Sequence, residues 1–170
     1  GKNDKFGGRY LKPAENYEHH SPVPPEMYPL YPYEIYGLGL PDLELMEHTF
    51  RAMGDQRFWS HSFCPANILA ARLGNTELAR RLEVEKMDNG PFRFPSFWPL
   101  AWDWPPDHNW GGAGMIGLQE MLMQTHTGLE EVRQGSQGNI RLLPAWPKNW
   151  NVDFKLHAPQ QTIVQGKVRS

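Results

Sequence analysis

The run Trp102-Asp103-Trp104-Pro105-Pro106-Asp107-His108-Asn109-Trp110-Gly111-Gly112 gathers two carboxylates, an imidazole, a carboxamide and three indoles within eleven residues. Indole faces are apolar platforms on which sugar rings stack, with a polar edge left for hydroxyls. A carboxylate set among them is desolvated, which strengthens it as a base, while free amides at the start of the following helix pull its pKa the other way. Glycoside hydrolysis needs an acid on the leaving oxygen and a base or nucleophile across the sugar ring. Asp107 is therefore one half of a mechanism, and Glu18, Glu26, Glu34 or a group outside this chain is the other. The structural alternative makes Asp107 a helix cap or a loop-bracing acceptor, with Asn109 in a similar role.

Other chemistries fit less well. His19-His20 is an adjacent pair with no third ligand at a diagnostic spacing, so no metal or other cofactor is expected. There is no Gly-x-Ser-x-Gly elbow, and the lone Cys64 has only His61 close by in sequence. The Gly37-Leu38-Gly39 and Gly111-Gly112-Ala113-Gly114 clusters do not complete a nucleotide-binding loop. A formal charge of -2 without a long basic block argues against nucleic acid. A single cysteine excludes an internal disulfide framework, and no apolar run is long enough to span a bilayer. The chain starts without a methionine or signal peptide, as a processed chain or an excised piece would.

The elements that must position the motif can be read from periodicity and breakers. Residues 1–41 read as irregular, because the prolines between Ser21 and Glu34 are too closely spaced for a helix interior. The segment is either a covering loop or one whose packing partner lies elsewhere. A helix is expected from Asp42, as N-cap, to Met53. A second runs from Ser62 or Cys64 to Leu73, and a third from Asn75 or Thr76 to Met87, with Leu78, Ala79 and Leu82 inward and Arg80, Arg81, Glu83 and Glu85 in water. Gly111-Gly112 opens the strongest helix, which ends near Gly128; its low charge suggests burial on most sides. Asn139–Pro144, Asp153–His157 and Thr162–Val168 read as strands. Seven tryptophans, sixteen prolines and sixteen glycines favour a cleft protein over a minimal bundle.

Three blocks in order carry a resemblance: Asp107-His108-Asn109-Trp110-Gly111-Gly112, then Gly117 to Gln124 (Gly-Leu-Gln-Glu-Met-Leu-Met-Gln), then Ile140 to Trp150 (Ile-Arg-Leu-Leu-Pro-Ala-Trp-Pro-Lys-Asn-Trp). They resemble the end of the catalytic domain in six-hairpin glycosidases, nearest to family 95 glycoside hydrolases, chiefly α-L-fucosidases. The comparable family run is Asp-Gly-Asn-Phe-Gly-Gly. His108 stands at the family glycine and Trp110 at its phenylalanine, and Asn151 to His157 replaces a glycine-rich stretch. These departures fall near the substrate side and imply a different sugar.

The resemblance implies a mainly α fold: antiparallel helical hairpins from an (α/α)6 barrel over residues 1–138, followed by the start of a C-terminal β region over 139–170. It implies an inverting hydrolase in which Asp107 is catalytic and helps asparagines activate water. Those asparagines and a glutamic general acid would lie on earlier helices, in a missing N-terminal part of the same polypeptide, leaving this C-terminal piece inactive alone. His108, Asn109, Trp110, Trp102 and Trp104 would bind an oligosaccharide or polysaccharide, in a periplasmic or extracellular, bacterial setting. Two rivals are a non-catalytic carbohydrate-binding remnant and a helical-barrel polysaccharide lyase, which would use a base such as Tyr28, Tyr31, Tyr33 or Tyr36 facing an asparagine or arginine.

Overall fold

Helix α1 (Leu43–Ala52) forms where Leu43, Met46 and Phe50 recur at helical spacing, and it buries Met46, His48, Thr49 and Phe50. The computed structural model to which it belongs describes residues 2, 3, 5, 7–13, 23–61, 63–88, 108–126 and 139–170. Asp42 does not cap α1 through its side chain; it sits in the left-handed region at φ 57°. Helix α2 (Ala66–Arg72) follows Pro65 and is buried along its whole length. The turn Leu73-Gly74-Asn75 reverses the chain, with Gly74 at φ +73° packed against Leu38. Helix α3 (Thr76–Met87) begins at Asn75, whose side chain accepts a hydrogen bond from the Leu78 amide.

Helix α4 (His108–Leu122) lies across both α2 and α3. Gly114 and Gly117 make that approach possible: a Cβ on Gly117 would strike the Asn67 amide and the Glu83 carboxylate. The chain passes directly from α4 into strand β3 (Met123–His126), short of the stop expected at Gly128. The Gln124 amide donates to the carbonyls of Ala71 (2.9 Å) and Glu120 (3.0 Å), satisfying acceptors at the C-terminal ends of two helices at once. β3 pairs antiparallel with β4 (Asn139–Leu142) from Met123↔Leu142 to His126↔Asn139. A second hairpin, β5 (Val152–Ala158) with β6 (Thr162–Val168), turns through Pro159 to Gln161. Gly166 leaves room for the Phe154 ring lying across it. The two-residue strands β1 (Lys2–Asn3) and β2 (Gly8–Arg9) pair antiparallel near the N-terminus.

The core is assembled from α1 to α4 together with Met27 and Leu30 of the proline-rich segment and Ala145 after β4. Prolines therefore deny that segment a long helix without denying it a place in the core; it keeps a single turn of 3-10 helix at Pro25–Met27.

Four helices and three two-stranded antiparallel sheets among the described residues make a small α+β fold. The expected (α/α)6-type arrangement of antiparallel hairpins is thereby overturned. The α2 and α3 pair is a helical hairpin as its short turn requires, but α4 packs across that pair and runs straight into a strand. α4 is also not an inner helix, since Met115, Ile116 and Leu118 are exposed. Glu83, expected in water, is buried facing α4.

Replacing Gly117 by Ala puts a methyl group where the Asn67 and Glu83 head groups now sit. The expected cost is about 1–3 kcal/mol, read as a lower denaturation midpoint, whereas Gly112→Ala, with open space around the new methyl, leaves the midpoint unchanged or raised.

Candidate functional site

The proline-rich segment, α2 and α4 enclose a pocket of about 370 Å³. Its walls follow from helical periodicity. Asn109, Gly112, Ala113 and Ile116 lie along one stripe of α4; Pro65, Ile68 and Leu69 are the corresponding stripe at α2. Met27, Tyr28 and Tyr31 close it from the loop, and Phe63 adds a ring. Tyr28 is braced edge-on by Tyr33, with ring centroids 6.0 Å apart and an interplanar angle of 84°. The residues at the beginning of α4 that belong to the motif thus form part of an aromatic-walled cavity.

One turn beyond Ile68 and Leu69 on α2 stands Arg72, fully buried, and one turn beyond Ile116 on α4 stands Glu120. The Arg72 Nη1 donates to Glu34 Oε1 at 3.0 Å and to Glu120 Oε2 at 2.9 Å. Its Nη2 lies 3.3 Å from His126 Nδ1. Because a guanidinium can only donate, Nδ1 is the acceptor and the imidazole proton resides on Nε2. Burial pushes the Glu120 carboxyl up to about 7, opposed by Arg72 and reinforced by Glu34. Tyr31, which also lines the pocket, feels the same group: burial and Glu120 raise its phenol pKa, while Arg72 lowers it.

A second buried polar layer lies behind α4. Asn67 donates to Glu83 Oε2 (2.8 Å) and to the Ala113 carbonyl (2.9 Å), and burial pushes Glu83 up to about 7 against the opposing pull of Asn67 and Lys86. Lys86 is fully buried with its ammonium 5.3 Å from the Trp110 ring centroid. The Trp110 indole donates to the Lys86 carbonyl at 2.6 Å.

Of the site residues expected from sequence, Asp107, Trp102 and Trp104 lie outside the described residues, as do Glu18, His19 and His20. His108 is the first residue of α4. Asn109 is exposed and lines the pocket; Trp110 is half-buried and turned to α3. Glu34 is held by Arg72 rather than standing as an independent acid. Glu26 lies in the 3-10 turn beside Met27.

Glu120 has a carboxyl tuned to protonate near neutrality, yet it is about 18 Å along α4 from His108. That exceeds the roughly 6.5–9.5 Å separating the carboxyl groups of an inverting pair, so it is not the acid partner of a group at the start of α4. Cys64 is buried and its thiol is pushed up to about 11, mainly by burial, which removes it as a nucleophile. Among the described residues no three His, Cys, Asp or Glu side chains gather as metal ligands, and no helix is long and apolar enough to cross a membrane.

The Arg72 cluster and the Asn67-Glu83 layer escaped the sequence reading because their members come from segments far apart in the chain. Glu120 did carry a signal, as the one acidic residue on a helix otherwise poor in charge.

Compared with family models, with curated proteins and with solved structures, the chain has no match.

Glu83 and Glu120 hold protons in the folded chain that they release in the unfolded chain above their ordinary value of 4.5. Their stabilising contribution is present below that value and is lost as pH rises through about 7. The denaturation midpoint should therefore fall between about pH 4.5 and about pH 7. Glu83→Gln should flatten that fall by an amount of order 3 kcal/mol, measured by denaturant titration at each pH.

Proposed function

We propose that this chain carries one side of the active site of a glycoside hydrolase, with Asp107 as its catalytic carboxylate and the pocket beside α4 as part of its substrate site. The observation that carries the reading is the meeting of Asn109 and Gly112 from the motif with Tyr28, Tyr31 and Phe63 in one cavity. Ring faces cover C–H groups and the carboxamide offers one polar contact, which suits the less polar portion of a glycoside substrate.

Asp107 is the residue before His108 in sequence. In the proposed role its carboxylate takes a proton from the water that attacks the anomeric carbon. In this reading the acid that protonates the leaving oxygen comes from another part of the same polypeptide, and a periplasmic or extracellular setting is the one that the sequence resemblance implies. Its substrate is an oligosaccharide or polysaccharide, with a fucoside-like sugar as the first candidate. The lyase alternative is disfavoured by Tyr31: it lies near Arg72 as such a base would, but its phenol pKa is raised, and a base abstracting a carbon-bound proton needs it lowered.

The test is turnover of fucosides, galactosides and rhamnosides by the complete polypeptide and by its Asp107→Ala form. A loss of roughly a thousandfold in kcat with glycan binding retained is expected. Equal turnover by both forms would make Asp107 structural, and binding without turnover in either would leave a carbohydrate-binding remnant.

A further inference from the structure

The pocket is too apolar for a bare pyranose. Met27, Phe63, Ile68, Leu69, Ala113 and Ile116 are among its lining residues, and its polar side chains are the Asn109 amide and the Tyr28 and Tyr31 phenols. A pyranose has hydroxyls around its whole rim, and each one buried without a partner costs about 1–3 kcal/mol. A cavity of about 370 Å³ is nevertheless of the size that holds a small molecule. Tyr28, Tyr31 and Phe63 offer ring edges and faces, and Met27 a thioether, all of which favour an aromatic guest over an aliphatic one.

Charge narrows the class further. Where the α2 and α4 stripes continue past the pocket, Arg72 is already engaged by Glu34 and Glu120, two carboxylates to one guanidinium. An anionic ligand would find the guanidinium there already engaged by carboxyl groups. Asn109 marks the opposite limit of the α4 stripe, one residue after the start of the helix.

We propose that the pocket is an aglycone subsite for a neutral phenolic group, its ring held between the tyrosine-bearing loop and α4, and its glycosidic oxygen directed to the start of α4. The word aglycone rests on the glycosidase reading; the preference for a neutral aromatic ring does not. The leaving group is a phenol, which takes up a proton as its bond to the anomeric carbon breaks and water supplies the new C–O bond.

The experiment uses the complete polypeptide with 4-ethylphenol and 4-ethylbenzoate as probes, followed by ligand-observed NMR, and with 4-nitrophenyl and methyl glycosides of the same sugar as substrates. Binding of the phenol with NOEs to the Ile116 and Met27 methyl groups, and binding of the benzoate weaker by about tenfold or more, is expected. Ile116→Trp, made on a partly exposed helix position, should abolish phenol binding and reduce the nitrophenyl-to-methyl ratio of kcat/KM by about tenfold. Equal binding of both probes, or phenol NOEs elsewhere, would overturn the proposal even if Ile116→Trp did not fold. An unchanged ratio in a folded Ile116→Trp would overturn the aglycone assignment while leaving hydrolysis by Asp107 intact. Phenol binding at Ile116 without turnover of any glycoside would instead remove the glycosidase reading, and with it the name aglycone, and keep the pocket's neutral aromatic specificity.

Discussion

A guanidinium taken wholly out of water costs several kcal/mol unless its donors are met, and Arg72 is such a group. Its two terminal nitrogens bring together four segments that sequence keeps far apart, the proline-rich loop through Glu34, α2 through Arg72 itself, α4 through Glu120, and β3 through His126, while its Nε is buried without a partner. Gln124 adds a tie from β3 to the ends of both α2 and α4. The direct passage from helix α4 into strand β3 is thus held from both sides of the junction. Because Glu34 is only two residues from pocket-lining Pro32, the same cluster also fixes where the loop meets the cavity.

The second polar layer serves a different geometric purpose. Asn67 bridges α2, α3 and α4 by donating to the Glu83 carboxylate and to the Ala113 carbonyl. Glycines at 114 and 117 let α4 come close enough for that bridge. Lys86 and Trp110 then join α3 to the first turn of α4. These contacts orient α4 so that Asn109, Gly112 and Ile116 face the loop rather than α3. Two carboxylates with raised pKa values follow from this packing, and neither needs a catalytic role to explain it. Desolvation is their first cause, and their partners are structural.

The molecule places an apolar, aromatic cavity along the first turns of α4, with Asn109 and Gly112 in its wall and Tyr28, Tyr31 and Phe63 opposite. Its few polar side chains suit it to an apolar guest.

Local physics was legible in the chain itself. The α3 boundaries and the Asn75 cap follow from capping chemistry and apolar spacing, and the β5–β6 hairpin follows from strict alternation, since both depend on neighbours a few residues away. Of the motif from Asp107 to Gly112, Asn109 and Gly112 lie in the pocket wall. Asp42 shows the limit even of local reading, because a residue type suited to capping adopts a left-handed conformation and makes no side-chain cap bond. Architecture was not legible: helical hairpins with short turns are shared by barrels and small α+β folds, and only the crossing of α4 over α2 and α3 and its passage into β3 distinguish them. The burial of Arg72, Lys86 and Glu83 was equally hidden, because each charge type reads as solvent-facing until its partner is known. Composition and periodicity determine elements and mark reactive residues, whereas partner choice across tens of residues decides which charges are buried and what surrounds the site.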